Sequence, residues 1–295
     1  MKISAILSDY DGTLCLTSSL TLNNSLPEDI HTILLEISKF IPVCIISSKD
    51  FHFLDSCINF AMIISSIMGI ETFLLQKGTG EFNDNNLKSE EFSDPIELES
   101  EIINNNLYRY RIRQKEKLIE NASIIEELSS VISENFHDIK ILQKYTHKDK
   151  ILAGVSFDYR HLSKWENYKM NIEPRITDKI YEYIKKNSPL TNTLHIQTYL
   201  THPFLDIYSI NCNKGNVVTE VRKLLKLDNN KNILYLGDSE NDNPAFRKAD
   251  LSINIKSDER INTKLDSHYS LEFNELSYFL IKLYKENFNF NSMSI

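Results

Sequence analysis

Cysteine is scarce and unpaired in this sequence. Cys15, Cys44, Cys57 and Cys212 stand far apart and no two form a CxxC pair. That spacing offers neither a zinc site nor a thiol-disulfide redox motif, so the four read as reduced thiols. Long apolar runs are missing too. No stretch approaches the roughly 18 apolar residues that a membrane-spanning helix requires. The opening MKISAILSDYDG meets two aspartates before a signal-length apolar segment can form. These absences imply a soluble, cytoplasmic protein with no membrane partner. An excess of basic charge is the third thing lacking. With 33 Lys and Arg against 41 Asp and Glu, the formal net charge is -8, the wrong sign for binding nucleic acid by phosphate neutralisation. One basic cluster, Arg109, Arg111, Arg113, Lys115 and Lys117, reads as a solvated helix or linker face balanced by the acidic run before it.

What is present is a chain of 295 residues, 41% hydrophobic, long enough for two domains of ordinary size. ISAILS at residues 3–8 is a short apolar run that leads directly into DYDGT, the pattern of a buried strand ending in a polar loop. Residues 27–40 carry apolar side chains at Ile30, Ile33, Leu34, Ile37 and Phe40, a helical spacing. PVCIIS then reads as a second buried strand, ending in Ser47-Ser48-Lys49. The pattern returns downstream: a helix over 215–227, the strand NILYL leading to Gly237-Asp238, a short helix over 241–249, and the strand LSINI. Parallel strands joined by right-handed crossovers most simply share one doubly wound sheet. Between the two stretches the character changes at GTGEFNDNN, residues 78–86, where turn-forming residues mark a domain boundary. An α+β insert follows, with an amphipathic segment over 118–136, strands near 152–159, 194–199 and 205–210, and a helix over 176–186. The expected division is a core of residues 1–82 and 208–295 with an insert of 83–207 over the sheet's catalytic edge.

Chemistry concentrates at strand ends, where open α/β sheets bind their ligands. Asp9 and Asp11 flank Tyr10 in DYDGT, with Gly12 permitting a sharp turn and Thr13 offering a hydroxyl. A carboxylate at such a point can accept a phosphoryl group and so divide a difficult hydrolysis into two steps. Asp238 and Asp242 follow another apolar strand and should emerge on the same edge. Unpaired carboxylates packed this closely repel and raise one another's pKa, so the grouping makes best sense around a divalent cation. Magnesium takes oxygen ligands and shares them with phosphate oxygens. Ser47 can donate its hydroxyl to a phosphate oxygen, and Lys214, opening a helix just after a strand, favours an anion.

In order, Asp9-Tyr10-Asp11-Gly12-Thr13, Ser47, Lys214-Gly215 and Gly237-Asp238 through Asn241-Asp242 resemble the four motifs of the haloacid dehalogenase (HAD) superfamily phosphatases. The resemblance implies an α/β, Rossmann-like core with a parallel sheet and an inserted α+β cap of the C2 type. It implies Asp9 as nucleophile and Asp11 as general acid/base. It further implies magnesium held by Asp9, the Asp11 backbone carbonyl and Asp238 and supported by Asp242, with Ser47, Lys214 and Asn241 around the phosphate. The DYDGT form and the strand ending Phe157-Asp158-Tyr159-Arg160 are similar to trehalose-6-phosphate phosphatases, which carry His-Tyr-Arg there; Asp158 stands at the histidine position. Ser47-Ser48-Lys49 resembles the Thr/Ser-Ser-Lys form of mannosyl-3-phosphoglycerate phosphatases. Both relatives act on phosphorylated sugars or sugar conjugates. The expectation is therefore hydrolysis of a small phosphorylated substrate, most simply a sugar phosphate, by a monomer or small homo-oligomer. Arg160 and Lys49 are the candidates for holding the non-reacting part of the substrate. A sugar phosphomutase and a non-catalytic sugar-phosphate sensor are the alternatives.

Overall fold

The computed structural model describes residues 1–16, 26–57, 59–76, 99–103, 106–187, 194–200, 202–228, 230–256 and 265–291. In chain order its elements are β1 (Ile3–Ser8), α1 (Glu28–Ile37), β2 (Val43–Ile46), β3 (Ile63–Ser66), β4 (Glu71–Gln76), β5 (Glu99–Ile103), β6 (Asn106–Ile112), α2 (Lys115–Asn135), β7 (Lys140–Tyr145), β8 (Leu152–Asp158), α3 (Trp165–Asn171), α4 (Glu173–Lys186), β9 (His195–Thr198), β10 (Phe204–Tyr208), α5 (Lys214–Leu224), β11 (Asn232–Gly237), α6 (Asn243–Phe246), β12 (Leu251–Lys256), β13 (Tyr269–Glu272) and α7 (Leu276–Lys285).

The continuous apolar runs of β1, β2, β11 and β12 need cover on both faces, and they get it. Ile6, Val43, Ile45, Leu234, Leu236 and Ile253 pack with the buried sides of α1 and α7 on one face. Ala5, Leu7, Cys44, Ile46, Ile233 and Tyr235 pack with α5 and α6 on the other. The nine strands run in the order β13-β12-β11-β1-β2-β3-β4-β6-β5. From β13 to β3 the pairs are parallel, and β4, β6 and β5 are added antiparallel. This is the expected Rossmann-like α/β fold. Strand order reverses about β1, whose neighbours are β11 and β2, so the crevice at that switch point lies between the C-terminal ends of β1 and β11. Ser8 stands opposite Leu236 in the register, which brings the residues after each into proximity.

A second, antiparallel sheet, β7-β8-β10-β9, forms a smaller layer. Its strands alternate. Val155, Phe157, Leu205 and Ile207 pack on Ile125, Leu128 and Ile132 of α2 and Ile176 and Ile180 of α4. Strand periodicity then turns Gly154, Ser156, Asp158, Phe204, Asp206 and Tyr208 to the opposite, polar face.

Two sequence expectations change. Residues 99–112, placed by sequence inside the insert, pair with the larger sheet, so by sheet membership the smaller layer runs from α2 to β10. The turn-rich stretch at 78–86 and the boundary at 83 lie outside the described residues. The basic cluster is also not a solvated helix or linker face throughout. Arg109 and Arg111 alternate with buried Tyr108 and Tyr110 along β6, a period of two that fits a strand. Arg111 forms an ion pair with Glu220 of α5 at 2.9 Å.

Candidate active site

Asp9 leaves the end of β1 and is only 5% exposed. The loop behind it is tight. Tyr10 carbonyl oxygen accepts from the Leu14 and Cys15 backbone N–H groups at 2.9 and 3.2 Å, and Gly12 takes φ 81°, a left-handed conformation that glycine adopts without a Cβ penalty. Thr13 Oγ1 reaches across to donate to Asp238 Oδ1 at 3.0 Å, so the two acidic motifs of the sequence are joined directly.

Lys214 ties the remaining charges together. Its ammonium is fully buried, 3.0 Å from Asp9 Oδ1 and 2.8 Å from Asp242 Oδ1. Asn213 caps the start of α5, its side chain accepting from Asn216 N–H at 2.9 Å. Gly215 lets α5 approach α6: a Cβ there would stand 2.4 Å from the Pro244 carbonyl oxygen. Asp242 is saturated with donors. Oδ1 accepts from Lys214 and from Tyr235 OH at 2.7 Å, while Oδ2 accepts from Asp238 and Ser239 backbone N–H groups, each at 3.0 Å, and from Ser239 Oγ at 3.3 Å. Such a carboxylate shapes the loop and holds the ammonium.

Burial pushes the Asp9 carboxyl up to about 7, with repulsion from Asp242 and Asp11 adding to it and the Lys214 ammonium opposing it. Burial disfavours the charge on Lys214, but Asp242 and Asp9 outweigh this and raise its pKa. Asp9, Asp238 and Asp242 each offer an oxygen within 4.8 Å of the others. One ammonium cannot balance three buried carboxylates, and the donors are all hard oxygens, so the cluster fits a magnesium ion.

The other sequence candidates are distributed around this cluster. The Asp11 side chain lies outside the three-carboxylate group and pairs with Lys49 Nζ at 3.4 Å. Ser47 is buried at the end of β2, its Oγ accepting from Lys49 N–H at 3.2 Å. Lys49 also lies over the Phe53 ring, 5.4 Å from the centroid. Asn241 accepts from Ser239 Oγ at 2.9 Å and donates to Tyr199 of the smaller layer. Arg160 is committed within that layer: two of its nitrogens grip Asp158, the closer at 2.7 Å, and its guanidinium lies 4.8 Å over Phe204.

A buried polar network escaped the sequence analysis. On the polar face of the smaller sheet, Asp206 accepts from Lys144 Nζ at 3.3 Å, Tyr199 OH at 2.7 Å, Tyr208 OH at 3.1 Å and Ser156 Oγ. Lys144 also donates to Tyr208 OH at 3.1 Å; burial lowers the Lys144 pKa, and the Lys49 charge of the larger layer adds to that while Asp206 opposes it. Gly154 clears space for it, since a Cβ would come within 2.9 Å of Tyr208 Cδ1. The alternation in FLDIY, apolar Leu205 and Ile207 against polar Asp206 and Tyr208, is the signal that could have found it.

The sequence profile of the haloacid dehalogenase-like hydrolases matches residues 6–268. The chain belongs to this family. Solved structures of similar fold include the C-terminal domain of the Candida albicans trehalose-6-phosphate phosphatase, with TM-score 0.66 and 13% identity over 97% of this chain and 93% of that one. The Aspergillus fumigatus trehalose-6-phosphate phosphatase aligns with TM-score 0.53 and 14% identity over 96% and 93%. A HAD subclass IIB sugar phosphatase aligns with TM-score 0.52 and 14% identity over 97% and 100%. A comparison with curated protein sequences finds no match. Among the described residues of this haloacid dehalogenase-like hydrolase, no helix is long and apolar enough to cross a membrane.

Proposed function

We propose that the protein is a magnesium-dependent phosphatase that hydrolyses a small phosphorylated metabolite, a sugar phosphate such as trehalose 6-phosphate or a related glycosyl phosphate, through an aspartyl phosphate on Asp9. The observation that carries this reading is the buried ammonium of Lys214 bridging Asp9 and Asp242 beside Asp238. A nucleophile, its counter-charge and a cation site occupy one crevice there.

In this reading a carboxylate oxygen of Asp9 attacks phosphorus in line, and the bond from phosphorus to the sugar oxygen breaks. Asp11 gives that leaving oxygen its proton. Asp11 then takes a proton from the water that cleaves the acyl phosphate, which releases inorganic phosphate and restores Asp9. Lys214 favours the ionised form of Asp9 against its burial and, with Ser47, offers donors to the phosphoryl oxygens. Magnesium, held by Asp9, Asp238 and the Asp11 backbone carbonyl, would supply positive charge to nucleophile and phosphate alike. Asp242 supports that site through Lys214 and the loop N–H groups, and Asn241 lies at its rim.

The smaller layer serves as a C2-type cap over the crevice and recognises the sugar. Among the described residues Lys144 has an ammonium N–H beyond those given to Asp206 and Tyr208 and is the leading recognition residue, with Lys49 and Arg160 as the further candidates. The four cysteines are buried free thiols, which suits work in the reducing cytoplasm. The test is release of inorganic phosphate from a panel of sugar phosphates with magnesium. Hydrolysis of at least one member supports the reading, whereas an isomeric sugar phosphate without phosphate release identifies a mutase.

A further inference from the structure

Among the described residues, the contacts between the smaller layer and the larger one differ in character from one end to the other. At one end, the chain passes between layers at Arg113–Gln114 and again over residues 209–213, and Ile67, Ile70, Leu118, Ala153, Tyr208 and Ile210 pack into one cluster there. This is the covalent hinge side, chiefly apolar, with a hydrogen bond from the His147 backbone N–H to Glu71 at 2.7 Å. A further contact lies at the far end of β10, roughly 15 Å away at the rise of an extended strand, and it is polar. There His202 Nδ1 meets Glu240 Oε2 at 3.0 Å, with the two side chains only 13% and 14% exposed.

Each member of that pair is rigidly mounted. The His202 ring stacks against Phe204 at 6.4 Å and meets Tyr199 edge-on at 5.8 Å, so it moves with the smaller sheet. Glu240 stands between Asp238 and Asp242, opening the turn Glu240–Asp242. Beside the pair runs a hydrogen-bond chain: Tyr199 OH donates to Asp206 at 2.7 Å, Asn241 donates to Tyr199, and Ser239 Oγ donates to Asn241 at 2.9 Å. The polar network that holds Lys144 is thus continuous with the loop that holds Asp238. Lys169 of α3 also brings its charge within reach of Glu240.

We propose that the Glu240–His202 pair is a closing latch: it fastens the free edge of the smaller layer to the larger one, so that the closed layer encloses a large substrate. The inference rests on the reading of the smaller layer as a cap. Glu240 and His202 are positioning residues here, acting through the layer they fasten. A latch raises the population of closed, binding-competent protein, and apparent affinity scales with that population. A substrate that does not use the cap gains nothing from it.

The test is a kinetic double-mutant cycle with Glu240→Gln, His202→Gln and both together, on the best sugar phosphate of the panel and on p-nitrophenyl phosphate. Each single change should raise KM for the sugar phosphate about 5- to 10-fold, with kcat held within about twofold because the bound substrate supplies the closing contacts itself. The double variant should be no worse than the worse single one, and p-nitrophenyl phosphate turnover should not change. Additive losses, equal losses on both substrates, or an unchanged KM would overturn the latch. A second measurement is independent of substrate identity. Spin labels at Tyr181→Cys on α4 and Tyr278→Cys on α7, both exposed positions, report the separation of the layers. Glu240→Gln should add a longer-distance population; a distribution identical to that of the unmodified pair refutes the latch even if no sugar phosphate is hydrolysed, whereas a shifted one upholds it and leaves only the substrate assignment in error.

Discussion

Glu71 gives the structure's most quantitative forecast. Its side chain is fully buried at the start of β4. Oε1 accepts from Tyr110 OH and from the His147 backbone N–H, both at 2.7 Å, and Oε2 accepts from Ser66 Oγ at 3.1 Å. One carboxyl therefore fastens the β7–β8 turn of the smaller layer to two strands of the larger. Burial still dominates, lifting its pKa from 4.5 to about 7 against those three donors. Because the folded pKa lies above the unfolded one, the folded state holds a proton that the unfolded state has released between pH 4.5 and 7. Stability from this group is complete below 4.5 and falls by about 1.4 kcal/mol per pH unit until the folded pKa is passed, some 3 kcal/mol in all. Glu71→Gln removes the titration and keeps the network: the amide oxygen accepts from Tyr110 and His147, and the amide nitrogen donates to Ser66. Thermal midpoints of the two proteins should converge near pH 4.5 and separate above pH 7. There the variant should be more stable, by roughly 6–12 °C at about 2–4 °C per kcal/mol. Parallel curves across this range, or a variant less stable at every pH, would refute the assignment.

Three further outcomes follow from the site. Asp11→Asn should lower sugar phosphate turnover by about 10²- to 10⁴-fold, and with an activated aryl phosphate, whose leaving group needs no proton, it should accumulate an enzyme heavier by one phosphate in intact-mass spectra. Lys144→Ala should cut kcat/KM for the best sugar phosphate by roughly 10-fold or more while sparing the aryl phosphate, and Arg160→Ala, measured alongside, tells whether the Asp158-bound guanidinium shares that role. Gly215→Ala should destabilise the protein by about 1–3 kcal/mol, read by urea unfolding, because its Cβ would meet the Pro244 carbonyl at 2.4 Å.

The parts of this molecule that sequence discloses are those where local pattern and chemistry coincide. ISAILS before DYDGT and NILYL before Gly237-Asp238 put apolar runs against acidic loops, and β1 and β11 emerge as adjacent parallel strands. Asp9 and Lys214 are 205 residues apart in the chain, yet each stands beside an unambiguous strand end or helix start, so their meeting could be anticipated from topology. The network around Asp206 could not be anticipated in that way. Lys144, Ser156, Tyr199 and Tyr208 sit on or beside four different strands, and only the antiparallel register brings them to one carboxylate. Nor did the basic run over 109–117 disclose its strand, because the charges masked the alternation of Tyr108 and Tyr110. That Asp158, two positions before Arg160, grips its guanidinium is likewise a pairing that nothing in the sequence reveals.

The central claim is that Asp9 accepts the phosphoryl group with magnesium present. The decisive measurement compares phosphate release by the unmodified protein and by Asp9→Asn, with magnesium and then with chelator, on the best sugar phosphate and on an aryl phosphate. The account predicts turnover only for the unmodified protein with magnesium, and background rates for Asp9→Asn on both substrates. More than a few per cent of turnover by Asp9→Asn, or undiminished release after chelation, would contradict it.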